Sequence, residues 1–191
     1  GPNEHPTFAN YLHNKLQLLV NSRKVVINAE TEHFDEVYAA AMTTTYPDSI
    51  YLFASTDFKP KRDDIRIDCR FESKTLSTTR SQFQLVPVTD KAAALNVSGQ
   101  YNLRLIGDFN ESNATAAIIG AGLAGVDGAK AIPGIANVTI PGRMEHIEVP
   151  GHGVVYVDYA HNYGGMKALL HFLKAEYHDP RMHVVAYSLS T

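Results

Sequence analysis

The chain has a single cysteine, Cys69, in 191 residues. One thiol can build neither an internal disulfide framework nor a cysteine metal cluster, and it suits a reducing compartment. Charge of one sign is also scarce: 17 Lys and Arg against 20 Asp and Glu leave a net charge of -3. That balance offers no basic footprint for nucleic acid. Long apolar runs are missing, and the longest stretches are too short to cross a bilayer. No charged-then-apolar leader opens the chain. The histidines show no H-x-x-x-H spacing, which argues against a zinc site. These absences predict a cytoplasmic protein with neither a membrane nor a nucleic acid as partner.

What remains is ordinary globular material, 45% hydrophobic and 19% charged. It suffices for one large domain or two modest ones. Helical spacing of Phe8, Tyr11, Leu12, Leu16 and Leu19 predicts a helix over 7–20, started by Pro6 and Thr7, with Phe8, Tyr11 and Leu12 on a packed face. Lys24–Asn28 and Ser49–Ala54 read as short buried strands, with a helix from about Glu32 to Thr43 between them. Period-two alternation from Ile65 to Phe71, and again from Phe83 to Val88, predicts half-buried antiparallel strands; Gly99–Ile106 alternates less cleanly. After Gly107 the pattern turns helical until Pro141-Gly142, a turn signal and a candidate domain boundary. Strands are then expected at 146–149 and 154–157, a helix over 164–177 and a further strand over 183–187. That strand, helix, strand order predicts an α/β unit with parallel pairing.

One motif invites a false conclusion. Gly120-Ala-Gly122-Leu-Ala-Gly125 spells the dinucleotide-binding pattern G-x-G-x-x-G, which needs a strand before it and a long helix after it. The preceding segment is rich in helix-favouring alanine. The following one carries Gly128, Pro133 and Gly134, which break a long helix. The glycines are therefore expected to serve close packing and a helix end. The flavin or nicotinamide enzyme that the motif suggests is the weaker alternative.

Taken in order, E-H-P-T-F-A-N-Y-L-H-N-K (4–15), G-D-F-N-E-S-N-A-T-A-A (107–117), P-G-R-M-E (141–145) and V-D-Y-A-H-N (157–162) resemble the Mur ligases. These are ATP-dependent amide-forming enzymes of peptidoglycan precursor synthesis. Order and spacing are most similar to the branch that adds the third amino acid, and E-H-P-T-F with D-Y-A-H-N to its L-lysine-adding members. The resemblance implies an α/β fold: the second half of a central ATPase domain, with parallel and antiparallel strands, over residues 1–139, then the start of a Rossmann-like C-terminal domain from 140 to 191. It also implies that the P-loop, the catalytic glutamate and a magnesium-binding histidine precede Gly1, and that His5 is not that histidine. The selector of the incoming amino acid would follow Thr191. Both ends look cut, and the chain alone is expected to lack ligase activity. D-Y-A-H is followed here by Asn162-Tyr163-Gly164-Gly165, where the family more commonly has Thr-Pro-Asp.

The residues admit plain readings too. Asn110 and Asn113, three apart at a helix start, can simply cap it. The resemblance makes them nucleotide contacts, Asn110 the closer, because an amide can donate and accept at the adenine edge. Arg143 can be a solvated boundary charge; the resemblance sets it against the adenine face or near phosphate. Asp158, ending an apolar run, can cap the next segment or accept the ribose hydroxyls. His161 is a surface histidine or a phosphate or substrate contact. Lys15 looks like a solvated helix lysine; the matching family lysine is carbamylated and holds magnesium. Its reaction with CO2 needs the neutral amine, so partial burial is implied. ATP and Mg2+ are the expected cofactors. UDP-N-acetylmuramoyl-L-alanyl-D-glutamate and an amino acid are the expected substrates of a monomer. A folylpolyglutamate synthase or a non-catalytic nucleotide-binding remnant stays open beside this reading.

Overall fold

The computed structural model describes residues 7–76, 80–105, 108–160, 163–178 and 180–185. The first half alternates helix and strand: α1 Phe8–Val20, β1 Val25–Asn28, α2 Phe34–Met42 and β2 Ile50–Ser55. Three strands follow, β3 Cys69–Leu76, β4 Ser81–Pro87 and β5 Gly99–Leu103, with the short α3 Asp90–Ala93 before β5. Helices α4 Asp108–Leu123 and α5 Gly128–Ala136 come next, then β6 Glu145–Val149, β7 Gly153–Val157 and α6 Tyr163–Glu176.

The first five strands form one sheet in sequence order. β1, β2 and β3 run parallel, whereas β3, β4 and β5 pair antiparallel. The burial pattern follows from what covers each half. Ile50, Leu52 and Ala54 of β2 join a core with Ala41, Val37 and Phe34 of α2, while Tyr51 and Phe53 point into a second core with Ala114, Ile118 and Ile119 of α4. Covered on both faces, β2 reads as a continuous apolar run. In the antiparallel half Phe71, Phe83, Leu85, Tyr101 and Leu103 face the second core. Their neighbours Glu72, Val86, Gln100 and Asn102 are exposed. Cys69 lies fully buried in that core, and burial pushes its thiol up to about 12.

Three expectations need correction. The alternation from Ile65 does not make a strand until Cys69, although Ile65 and Ile67 are buried in the α2-side core. Asp68 takes over there: its carboxylate accepts the Leu52 N–H at 2.8 Å, so the segment before it packs as extended loop. On α1 no residue is buried; of the three expected on its packed face, Phe8 and Tyr11 are exposed and Leu12 is half-covered. Residues 183–185 form no strand. Val184 and Val185 are 56% and 96% exposed, because among the described residues no ladder receives their backbone. β6 and β7 instead pair antiparallel with each other, through a turn at Val149–His152 in which His152 N–H reaches the Val149 carbonyl at 2.9 Å and Gly151 takes φ +76°. Positions 186 and 187 lie outside the described residues.

Candidate functional site

In an open α/β sheet the carboxyl ends of the parallel strands are where ligands gather, and α4 starts there. Asn28, the last residue of β1, donates its Nδ2 to Ser112 Oγ at 3.0 Å. Ser73 of β3 donates its hydroxyl to Glu111 Oε1 at 3.2 Å. Along α4 the inward residues are Asn110, Glu111, Ala114, Thr115, Ile118 and Ile119. This stripe has the period expected of a helix packed on a sheet. Asn110 sits at its border, only 4% exposed, and Asn113 lies one step outside it, open to solvent. Of the two amides it is Asn113 that solvent reaches.

The second group of predicted residues meets at the foot of the β6–β7 hairpin. Ile140-Pro141-Gly142-Arg143 closes as a tight turn, with Arg143 N–H on the Ile140 carbonyl at 3.0 Å and Gly142 at φ +70°. Proline second and a positive-φ glycine third are what such a turn requires. The next residue, Met144, is buried with φ +49°. Its N–H donates to Asp158 Oδ2 at 2.9 Å. Arg143 and Asp158, 15 positions apart, thereby flank one residue. The Arg143 guanidinium is exposed and lies 5.6 Å from the Tyr159 ring centroid.

A cleft of about 710 Å³ opens beside this turn, lined by Arg80, Arg104, Pro141, Arg143, Met144 and His146 among others. Arg80 and Arg104 come from the ends of the β4–β5 pair. Sequence reasoning missed both, because their proximity to Arg143 is set by the fold and no local motif joins them. It also passed over Tyr159, although that residue sits inside V-D-Y-A-H-N, because an aromatic next to Asp158 gives no sign in sequence of facing Arg143.

Lys15 stands apart. It is exposed on α1, with Nζ 5.6 Å from the Tyr11 ring centroid, in line with exposed Phe8 and Leu18. The partial burial implied for it is not present. Among the described residues no three His, Cys, Asp or Glu are grouped to hold a metal, so they do not by themselves form a magnesium site around Lys15. His161 lies outside the described residues.

The glycine motif resolves into three unlike positions. Gly120 would meet nothing within 4 Å if given a Cβ, whereas a Cβ at Gly122 would stand 2.8 Å from Val97 Cγ1. Gly125 ends α4 at φ +87°, with its N–H on the Gly122 carbonyl and the Val126 N–H on the Ala121 carbonyl, both at 2.9 Å. That is the hydrogen-bond pattern of a Schellman helix end. α5 then spans only nine residues, with Pro133 inside. Thermal denaturation of three alanine variants checks this account. Gly120→Ala is expected to gain about 0.5–1 kcal/mol, since helix-interior glycine costs that much. Gly122→Ala is expected to lose about 1–3 kcal/mol through overpacking, and Gly125→Ala about 1–2 kcal/mol through its left-handed backbone. A destabilised Gly120→Ala would contradict it.

Residues 142–188 match the family model described as "Mur ligase, glutamate ligase domain". Over 188 residues, 98% of this chain, the sequence is 76% identical to the UDP-N-acetylmuramyl-tripeptide synthetase of Lacticaseibacillus paracasei. The chain belongs to the Mur ligase family. It spans 36% of that relative's length. It is also 36% identical over 188 residues to the UDP-N-acetylmuramoyl-L-alanyl-D-glutamate–L-lysine ligase of Enterococcus faecalis, covering 98% of this chain and 34% of that one. In fold, this Mur ligase chain is similar to the crystal structure of MurF from Acinetobacter baumannii, with a TM-score of 0.67 at 20% identity over 90% of this chain and 34% of that one. No helix among the described residues is long and apolar enough to cross a membrane.

Proposed function

We propose that the protein carrying this chain is the ATP-dependent ligase that extends UDP-N-acetylmuramoyl-L-alanyl-D-glutamate by L-lysine in the cytoplasm. The D-glutamyl carboxylate takes the γ-phosphoryl group of ATP, giving an acyl phosphate and ADP. The amine of the incoming amino acid then attacks the acyl carbon and phosphate leaves, with the amine proton lost to solvent. Residues 1–139 serve as the later part of the ATP-binding domain and 140–191 as the start of the C-terminal ligase domain. Magnesium, when bound, would neutralise phosphate charge; Lys15, exposed on α1, would offer it an oxygen ligand only once carbamylated.

The observation that carries the reading is the bond from the Met144 N–H to Asp158 Oδ2, next in sequence to Arg143. It brings the Asp158 carboxylate, with Oδ2 held by backbone, to the turn that carries the planar cation of Arg143, two groups that suit adenosine: one to cover a ring, one to accept from hydroxyls. Asn113 and Asn110 supply amide groups for the adenine edge. A cation that already lies near one aromatic ring, Tyr159, is suited to cover another. The test is an assay of the protein at its full encoded length. ADP release should require the muramoyl dipeptide, and radiolabelled L-lysine should enter the product in preference to diaminopimelate. Dipeptide-independent ADP release, or preference for diaminopimelate, would contradict the assignment.

A further inference from the structure

A chain of hydrogen bonds runs along the carboxyl edge of the parallel strands, and the chemistry above does not use it. Ser55 N–H, at the end of β2, donates to Glu30 Oε1. Glu30 N–H donates to Asn28 Oδ1 at 2.9 Å, which fixes the Asn28 amide and aims its Nδ2 at Ser112 Oγ, 3.0 Å away. One residue back on α4, Glu111 is fully buried and accepts from Ser73 of β3 at 3.2 Å. The first turn of a helix lacks the intrahelical partners that hold later turns. Here it is tied to two different strands instead.

The placement of these ties matters. At about 100° per residue, Ser112 and Asn110 lie about 200° apart around the helix axis. They occupy opposite borders of the stripe that faces the sheet: Ser112 is half-buried at one edge, and Asn110 with Asn113 next to it stands at the other. Hydrogen bonds at Glu111 and Ser112 therefore fix the rotation of α4 about its own axis. Without the tie at Ser112, the apolar contacts of Ala114, Ile118 and Ile119 still hold the helix against the sheet. They constrain its roll only weakly, because apolar packing is not directional.

We propose that Asn28 is a positioning residue: through Ser112 it sets the roll of α4, and with it the placement of the Asn110 and Asn113 amides against the nucleotide base, with Ser73–Glu111 as the second tie. This rests on the reading of those two asparagines as nucleotide contacts. The experiment is initial-rate kinetics of the full-length protein with ATP varied. Ser112→Ala is expected to raise KM for ATP about fivefold, the equivalent of one hydrogen bond of about 1 kcal/mol, with kcat within about twofold. Ser112→Thr, which keeps the oxygen, should restore KM. Asn28→Ala, which also removes the acceptor of the Glu30 N–H, should raise KM at least as much, and the Asn28→Ala, Ser112→Ala double variant no further than Asn28→Ala alone, since the contact to Ser112 is then already gone. In an Asn110→Ala, Asn113→Ala background the Ser112→Ala effect should vanish. If Ser112→Ala leaves KM unchanged while Asn110→Ala raises it, or if its effect persists in the double-asparagine background, the positioning role is overturned. If removing both asparagines leaves KM unchanged, the nucleotide reading fails and the positioning role with it.

Discussion

Asp68→Ala is expected to cost about 3–5 kcal/mol of folding stability, the loss typical when one partner of a buried ion pair is removed. Asp68 is 2% exposed and stands where β2 hands over to β3. Its Oδ2 accepts the Leu52 N–H at 2.8 Å and lies 3.2 Å from Lys91 Nζ; its Oδ1 accepts the Thr89 hydroxyl at 2.7 Å. The Asp68 backbone is used as well, donating to the Leu52 carbonyl at 2.8 Å and accepting from Val88 N–H at 2.7 Å. Alanine would leave an ammonium, an amide and a hydroxyl to find new partners, although Lys91 keeps its bond to the Ile50 carbonyl at 2.6 Å. Whole domains are stable by only about 5–15 kcal/mol, so the variant should unfold at a much lower urea concentration. Asp68→Asn, which keeps the shape and loses the charge, should fall between the two. Urea denaturation at constant m-value measures the difference. A loss below about 1 kcal/mol, the scale of a surface pair, would show that the cluster does not join the two halves of the sheet.

Arg143→Ala should act on binding and leave folding alone. The side chain is exposed, and its aromatic neighbour Tyr159 is exposed too, so truncation opens no cavity and strands no buried group. If the guanidinium covers the adenine ring, losing it removes a cation–π contact of up to about 2 kcal/mol. At 1.4 kcal/mol per decade that raises KM for ATP by roughly thirtyfold. Arg143→Lys should recover little of this, because an ammonium lacks the planar surface. The melting temperature should stay within about a degree of the parent, as for surface substitutions generally. The contrast with Asp158 is informative: its Oδ2 holds the Met144 N–H, so Asp158→Ala should lower stability and affinity together. ATP titrations alongside melting curves separate the two patterns. An unchanged KM in Arg143→Ala would remove this residue from the nucleotide site.

Much of the fold could be read from periodicity, and the exceptions have physical causes. β1, α2 and β2 were legible because each is covered by its neighbours in the chain. Ile65 and Ile67 alternate like a strand and are buried like one. Backbone pairing, which side-chain pattern does not report, decides that the strand starts at Cys69. The run at 183–185 has strand composition but no pairing strand among the described residues. At the site, Arg143 and Asp158 stood out because each sits in a compact motif. Arg80 and Arg104 did not, since only the closing of the β4–β5 pair brings them to the cleft beside Arg143; Tyr159 shares a motif with Asp158, but its approach to the Arg143 guanidinium is set by the fold. The glycine motif shows the converse: its letters matched a cofactor loop, and only the alanines before it and Pro133 after it identified a helix end.

The unequal covering of the five-stranded sheet also bears on how this sequence can drift. On β4 and β5 each residue facing α4 and α5 is followed by one facing solvent. Accepted changes should rise and fall with a two-residue beat along those strands. On β2, buried on both faces, the beat disappears, and nearly every position from Ile50 to Ala54 is held by its neighbours. The least variable stretch of the sheet should therefore be this scaffold strand, which holds none of the proposed ligand contacts, and invariance there would record packing and not chemistry.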